Sequence, residues 1–183
     1  MSEKVTIKVE RKTLHLPTIA LRGLVVFPNN LVHFEVGREK SIAAVEWAMA
    51  NNSNVFLVAQ KSMDTTEPQQ ADLFGYGVVA EVKQVLRVSG DLVKVLVEGK
   101  YRAKLSVLDA SGDFLLSEVR PAPVRPGKAD DAVETEALLR ALKAGFDEYL
   151  GMNPRLGKDV VFAIVSSDDP AFLSEYMPAN LLF

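Results

Sequence analysis

Three Gly-Lys pairs and a scatter of basic residues on alternating segments are the first places to look for chemistry in this chain. A phosphate-binding loop needs Gly-x-x-x-x-Gly-Lys followed by Ser or Thr, because its backbone amides wrap the phosphates while the hydroxyl holds a metal ion. Here Gly99-Lys100, Gly127-Lys128 and Gly157-Lys158 run on into Tyr101, Ala129 and Asp159, so none of them qualifies. No Gly-x-Ser-x-Gly elbow occurs. Two Lys-Ser neighbours, Lys40-Ser41 and Lys61-Ser62, read as ordinary surface pairs. The absence of cysteine excludes a thiol nucleophile, a disulfide framework and a Cys-ligated metal or cluster. His15 and His33 lie in separate segments, which argues against a His-rich metal site. The expectation is a chain that is not itself an enzyme and uses no cofactor or metal of its own.

Binding is the remaining class. Lys83, Arg87, Lys94, Lys100, Arg102 and Lys104 could track phosphates, but Glu81, Asp91 and Glu98 sit among them, as on a solvated sheet face. A formal net charge of −3 also argues against nucleic acid as the main partner. Candidate contacts for a protein partner are apolar residues near turns or off a helix stripe: Phe27, Trp47, Phe74 and Tyr76. A core position is the alternative reading of each. No apolar run reaches the roughly 18 residues of a bilayer span, and the start of the chain has no apolar signal region, so a cytoplasmic protein is expected without membrane contact.

The elements that must position these residues follow from periodicity. Val93, Val95 and Val97 alternate with Leu92, Lys94 and Leu96, and Tyr101, Ala103 and Leu105 alternate with Lys100, Arg102 and Lys104. Two half-buried strands meeting in a tight turn at Gly99 fit that pattern. Pro17 demotes the run 14–21 to an edge or irregular strand. Residues 31–36 alternate, and 38–51 switch to a helical period with Ile42, Val45 and Met49 as the stripe. Residues 54–60 form a short strand and 61–72 a loop. The strand after Gly77 places Val78, Ala80, Val82, Leu86 and Val88 on one face. Ser89-Gly90-Asp91 and Ser111-Gly112-Asp113 close hairpins. The proline-rich stretch 121–127 reads as a linker between a sheet unit, residues 1–122, and a helical unit, residues 123–183. Leu138, Leu142, Phe146 and Tyr149 form the stripe of a helix over about 129–150 with acids in its first half; residues 160–165 favour helix over strand; Asp169-Pro170 starts a last helix that Pro178 breaks.

Three stretches carry a resemblance. Leu21-Arg22-Gly23 followed by Phe27-Pro28 and Val36-Gly37-Arg38-Glu39-Lys40-Ser41 is one; Val97-Glu98-Gly99 followed by Arg102-Ala103 is the second; Glu148-Tyr149, Asn153-Pro154 and Asp168-Asp169-Pro170 are the third. Together they resemble the N-terminal domain of the Lon family of ATP-dependent proteases. That resemblance implies an α+β fold: a curled antiparallel β-sheet or partly closed, PUA-like barrel with one inserted helix, followed by a small α-helical bundle. It implies substrate recognition and assembly for an ATP-dependent serine protease that degrades misfolded and regulatory proteins. The implied partners are unfolded or degron-bearing proteins and further copies of the chain in a hexamer, with ATP and Mg belonging to a module absent here. The alternative is a stand-alone PUA-like domain that binds RNA. The apolar end Leu181-Leu182-Phe183 suggests a piece of a longer protein.

Overall fold

The pivot of the fold is one long strand. The computed structural model describes residues 13–89, 92–123 and 132–181. Its elements run β1 (Leu14–Leu21), β2 (Leu31–Val36), α1 (Glu39–Asn51), β3 (Asn54–Ala59), β4 (Tyr76–Ser89), β5 (Leu92–Asp109), β6 (Leu115–Pro121), α2 (Ala132–Met152), α3 (Lys158–Ser166) and α4 (Pro170–Asn180). The expected turn at Gly99 does not exist: β5 runs straight through it for 18 residues. Along one edge β5 pairs with β4 from Leu92 to Lys104; along the other it pairs first with β2 and then with β6. The strand order β2-β5-β4-β3-β1-β6, with β6 returning to β5, makes a ring with β2 attached outside it. The curled, partly closed sheet is therefore present. Its pairings are antiparallel except β1 with β3, which are parallel because the intervening β2 and α1 form a crossover.

Pro17 does not make β1 an edge, because β1 lies between β3 and β6. The proline falls where only β6 is alongside, before β3 is met at Thr18, so its missing donor breaks no ladder bond to β3.

Among the described residues four register shifts interrupt the ladders of β5, and two of them redirect the longest runs of side chains. Ala80 pairs with Gly99 and Val79 with Tyr101, so Lys100 is an extra residue on β5. Val93, Val95 and Val97 consequently join one apolar cluster, with Ile19, Leu57, Ala80 and the α1 residues Ala44, Val45 and Ala48. Ala103 and Leu105 join a second, with Leu16, Phe56, Val58, Val79 and Val119. Lys83 is the extra residue on β4, between the pairs Val82 with Val97 and Gln84 with Leu96. Past it Val85 turns to the first cluster, and Leu86 and Val88, expected on the buried face, are 51% and 55% exposed.

The α1 stripe is also shifted from expectation. Ser41, Ala44, Val45 and Ala48 are buried and Met49 is exposed, because small side chains let the helix lie close on β1. Residues 61–72 form the expected loop, ending in one 3-10 turn, and are held by the side chains of Arg22, Arg38, Gln60 and Lys61. In the helical part Phe146, Ile164, Leu173 and Met177 build a third cluster that shares no residue with the other two. Residues 160–165 are helical, and the Asp169 carboxylate caps α4 by accepting from Ala171 N–H at 2.9 Å. Pro178 does not break α4, which continues to Asn180. Leu138 and Leu142 stand exposed, so only the second half of α2 is packed on the stripe expected of it. The expected fraying of residues 1–12, the Gly90-Asp91 turn, the linker and helix start at 124–131 with Asp130 and Asp131, and the terminal Leu182 and Phe183 lie outside the described residues.

Candidate functional site

The four aromatic candidates occupy three separate places. Phe74 and Tyr76 flank Gly75 at the start of β4, 51% and 55% exposed. Their backbone is fixed: Phe74 N–H donates to Ala59 at 3.1 Å, and the Gly75 carbonyl accepts from Leu105 N–H at 2.9 Å. Two exposed rings on an immobile strand start lose little freedom when a partner covers them. Trp47 leans on Phe114 across 5.7 Å between ring centres, which ties α1 to the residue that precedes β6. Phe27 is half-buried, and its carbonyl lies against Gly99. No ring contact joins any two of these four residues.

The basic cluster is largely neutralised. Lys83 and Lys100 each bridge both Glu81 and Glu98, at 2.7 to 2.9 Å, in a closed ring of four charges. Hydrogen bonds from Lys100 and then Lys83 hold the Glu98 carboxyl down to about 2 and lower that of Glu81 as well, while both lysines are raised. Arg87 pairs with Glu46 at 2.5 Å and Arg102 with Glu175 at 3.0 Å. A surface so compensated offers little field to a polyanion.

Two concave features were not legible in the sequence. A cleft of about 330 Å³ separates the end of β1 from β2, walled by Ile19, Leu24 and Phe34, with Arg22, Glu35 and Arg38 around it. Arg38 crosses it, donating to Gln60 Oε1 at 2.8 Å and to the Ala20 carbonyl. Burial, then the neighbouring Arg22, pushes the Arg38 guanidinium below its usual range. A second groove of about 460 Å³ runs between α2 and α4, lined by Leu138, Leu142, Pro170, Met177 and Pro178. Only its exposed leucines, at helical spacing, could have signalled it. Among the described residues no group of three or more His, Asp or Glu could hold a metal ion, and no helix is long and apolar enough to cross a membrane.

Residues 15–183 match the family of the ATP-dependent protease La (LON) substrate-binding domain. The chain belongs to that Lon family. It is 36% identical over 166 residues to the Lon protease of Desulforamulus reducens, covering 91% of this chain and 20% of that protein. It is likewise 36% identical over 168 residues to the Lon protease of Escherichia coli K12, covering 92% of this chain and 21% of the relative. The chain thus spans about a fifth of the length of the curated relatives it matches. In fold it is similar to the N-terminal domain of the Mycobacterium avium complex Lon protease, with a TM-score of 0.64 at 19% identity, covering 88% of this chain and 80% of that one. The Lon resemblance and the fold expected from it are borne out, and the catalytic modules of a Lon protease are no part of this chain.

Proposed function

We propose that this domain captures unfolded or degron-bearing protein segments for a Lon-type ATP-dependent serine protease. ATP, Mg and the nucleophile belong to the modules that make up the rest of such a protein. In the proposed assembly the domain works in the cytoplasm as one of six copies, where weak single contacts gain from multivalency. Phe74, Tyr76, Trp47 and Phe27 are the proposed contacts. The observation that carries the reading is the exposed pair Phe74 and Tyr76 on a hydrogen-bonded strand start, in a chain of the Lon substrate-binding family.

We further propose two units, residues 1–122 and 123–183. The separation of the apolar clusters supports the division, since boundaries fall where few contacts cross. Limited proteolysis is expected to cut first between residues 121 and 128 or in the loop 61–72; a first cut inside Leu92–Leu105 would refute it.

The test of capture is a titration of a labelled unfolded protein and a single-stranded RNA at low and high salt. Apolar capture predicts weak binding of the unfolded protein that changes little with salt. An RNA-binding domain touching about 4–6 phosphates would lose roughly a hundredfold or more in affinity between about 50 and 200 mM salt. That result, with no binding of the unfolded protein, would overturn the reading.

A further inference from the structure

The ring of strands has an unsealed seam. β2 pairs with β5 and, among the described residues, with no other strand. The aim of its backbone groups follows from Gly99, whose N–H donates to Asn30 at 2.9 Å and whose carbonyl accepts from Asn29 N–H at 2.8 Å. Gly99 therefore presents its peptide groups toward β2. Alternate residues of a strand face opposite edges, so Val97, Val95 and Val93 do the same. Their partners are Val32, Phe34 and Val36. The N–H and C=O groups of His33 and Glu35 consequently point away from β5, and among the described residues no backbone hydrogen bond meets them.

Opposite that edge stands the end of β1. It has β3 on one side from Thr18 onward, and its pairing with β6 ends at Thr18. Ala20 gives its carbonyl to the Arg38 guanidinium rather than to a strand. Between the two edges lies the cleft walled by Ile19, Leu24 and Phe34.

We propose that this seam takes an extended apolar polypeptide segment as an added strand along the edge of β2 at His33 and Glu35. The complement of unmet ladder donors and acceptors is another peptide backbone, and the apolar walls suit alternate side chains of an extended chain. The groove between α2 and α4 offers side chains alone and would suit a partner without regard to its backbone. The proposal rests on the reading that the domain captures protein segments, and it names the chemistry by which it does so. Backbone recognition is indifferent to sequence, as capture of many unfolded proteins requires.

The test uses a short peptide of alternating Val and Thr with Lys at both ends. Two further versions carry N-methyl groups on every second residue, in opposite registers. Binding is followed by amide-resolved NMR on the whole chain. The parent peptide is expected to shift the His33 and Glu35 amides, and methylation in one register to weaken binding roughly tenfold, the loss of a few backbone hydrogen bonds, while the other register binds like the parent. Glu35→Pro removes an outward N–H while leaving the pairs of Phe34 and Val36 intact, and is expected to give the same loss. Should that variant fail to fold, the methylated peptides decide alone. Equal affinity of all three peptides, equal loss in both registers, or shifts confined to the α2 and α4 groove would sink strand addition and leave protein capture standing. Binding of none of the peptides would overturn both. A dimer in sedimentation that Glu35→Pro dissolves would assign the edge to a second copy and also overturn the proposal.

Discussion

A β-carbon on residue 99 would lie 2.2 Å from the carbonyl oxygen of Phe27. The backbone of the loop between β1 and β2 is seated against β5 at that point, fixed by hydrogen bonds from Asn29 and to Asn30. Backbone yields less than the end of a side chain. Gly99→Ala is therefore expected to destabilise the domain by about 2–3 kcal/mol in chemical denaturation. Gly145→Ala, inside α2 with open space around the site, is the control and should stabilise by roughly 0.5–1 kcal/mol. Equal stability of the two variants would show that the close approach is not a constraint.

The four-charge ring on β4 and β5 sets an acid dependence. Glu98 is lowered from its ordinary 4.5 to about 2, mainly by hydrogen bonds from Lys100 and Lys83. A carboxyl depressed on folding contributes stability that is complete above 4.5 and is lost as pH falls through the folded value. The wild type should therefore lose stability between about pH 4.5 and 2, and Glu98→Gln should flatten that part of the profile while lowering the plateau near neutrality. All four side chains are partly exposed, so the effect should be small and shrink with added salt. Thermal melts across that pH range, at two salt concentrations, measure it.

The aromatic candidates should separate by role. Trp47 packs on Phe114 and is 39% exposed, so Trp47→Ala is expected to cost about 1–2 kcal/mol of stability. Phe74→Ala and Tyr76→Ala remove exposed rings and should leave stability within about 0.5 kcal/mol while weakening capture of unfolded protein. Trp47 is the sole tryptophan, so its emission follows unfolding of the wild type and of the Phe74 and Tyr76 variants, while the Trp47→Ala variant is followed by circular dichroism. A destabilised Phe74 variant would return that ring to the core.

Arg102 joins β5 both to the residue after β6 and to α4. Its carbonyl accepts from Ala122 N–H at 2.9 Å, and its guanidinium holds Glu175 of α4 at 3.0 Å. Glu175 is 18% exposed and Arg102 35%, so the pair is screened less than a surface one. A double-mutant cycle of Arg102→Ala and Glu175→Ala should give a coupling of about 1 kcal/mol. A coupling near zero would show that the pair does not contribute to docking α4 on the sheet.

Local chemistry by itself determined much of this protein. Asp169 and Pro170 start α4 because a carboxylate and a fixed φ suit a first turn in any context. Alternation marked the strands, and neither a phosphate loop, nor a nucleophile elbow, nor cysteine occurs in the chain. Only the tertiary structure decided which face each alternating residue takes. One extra residue at Lys83 and one at Lys100 re-phase β4 and β5, and a period of two is unchanged by such an insertion. The same nonlocal pairing made β5 one strand shared by β2 and β6, made β1 parallel to β3, and left an edge of β2 open. Packing against the third cluster also carried α4 past Pro178, where the unmet carbonyl would be that of exposed Ser174, close to the helix end and open to water. Strand partners lie tens of residues apart, and their register is set by backbone bonds and by the volume of side chains on two faces at once, which no short window of sequence contains.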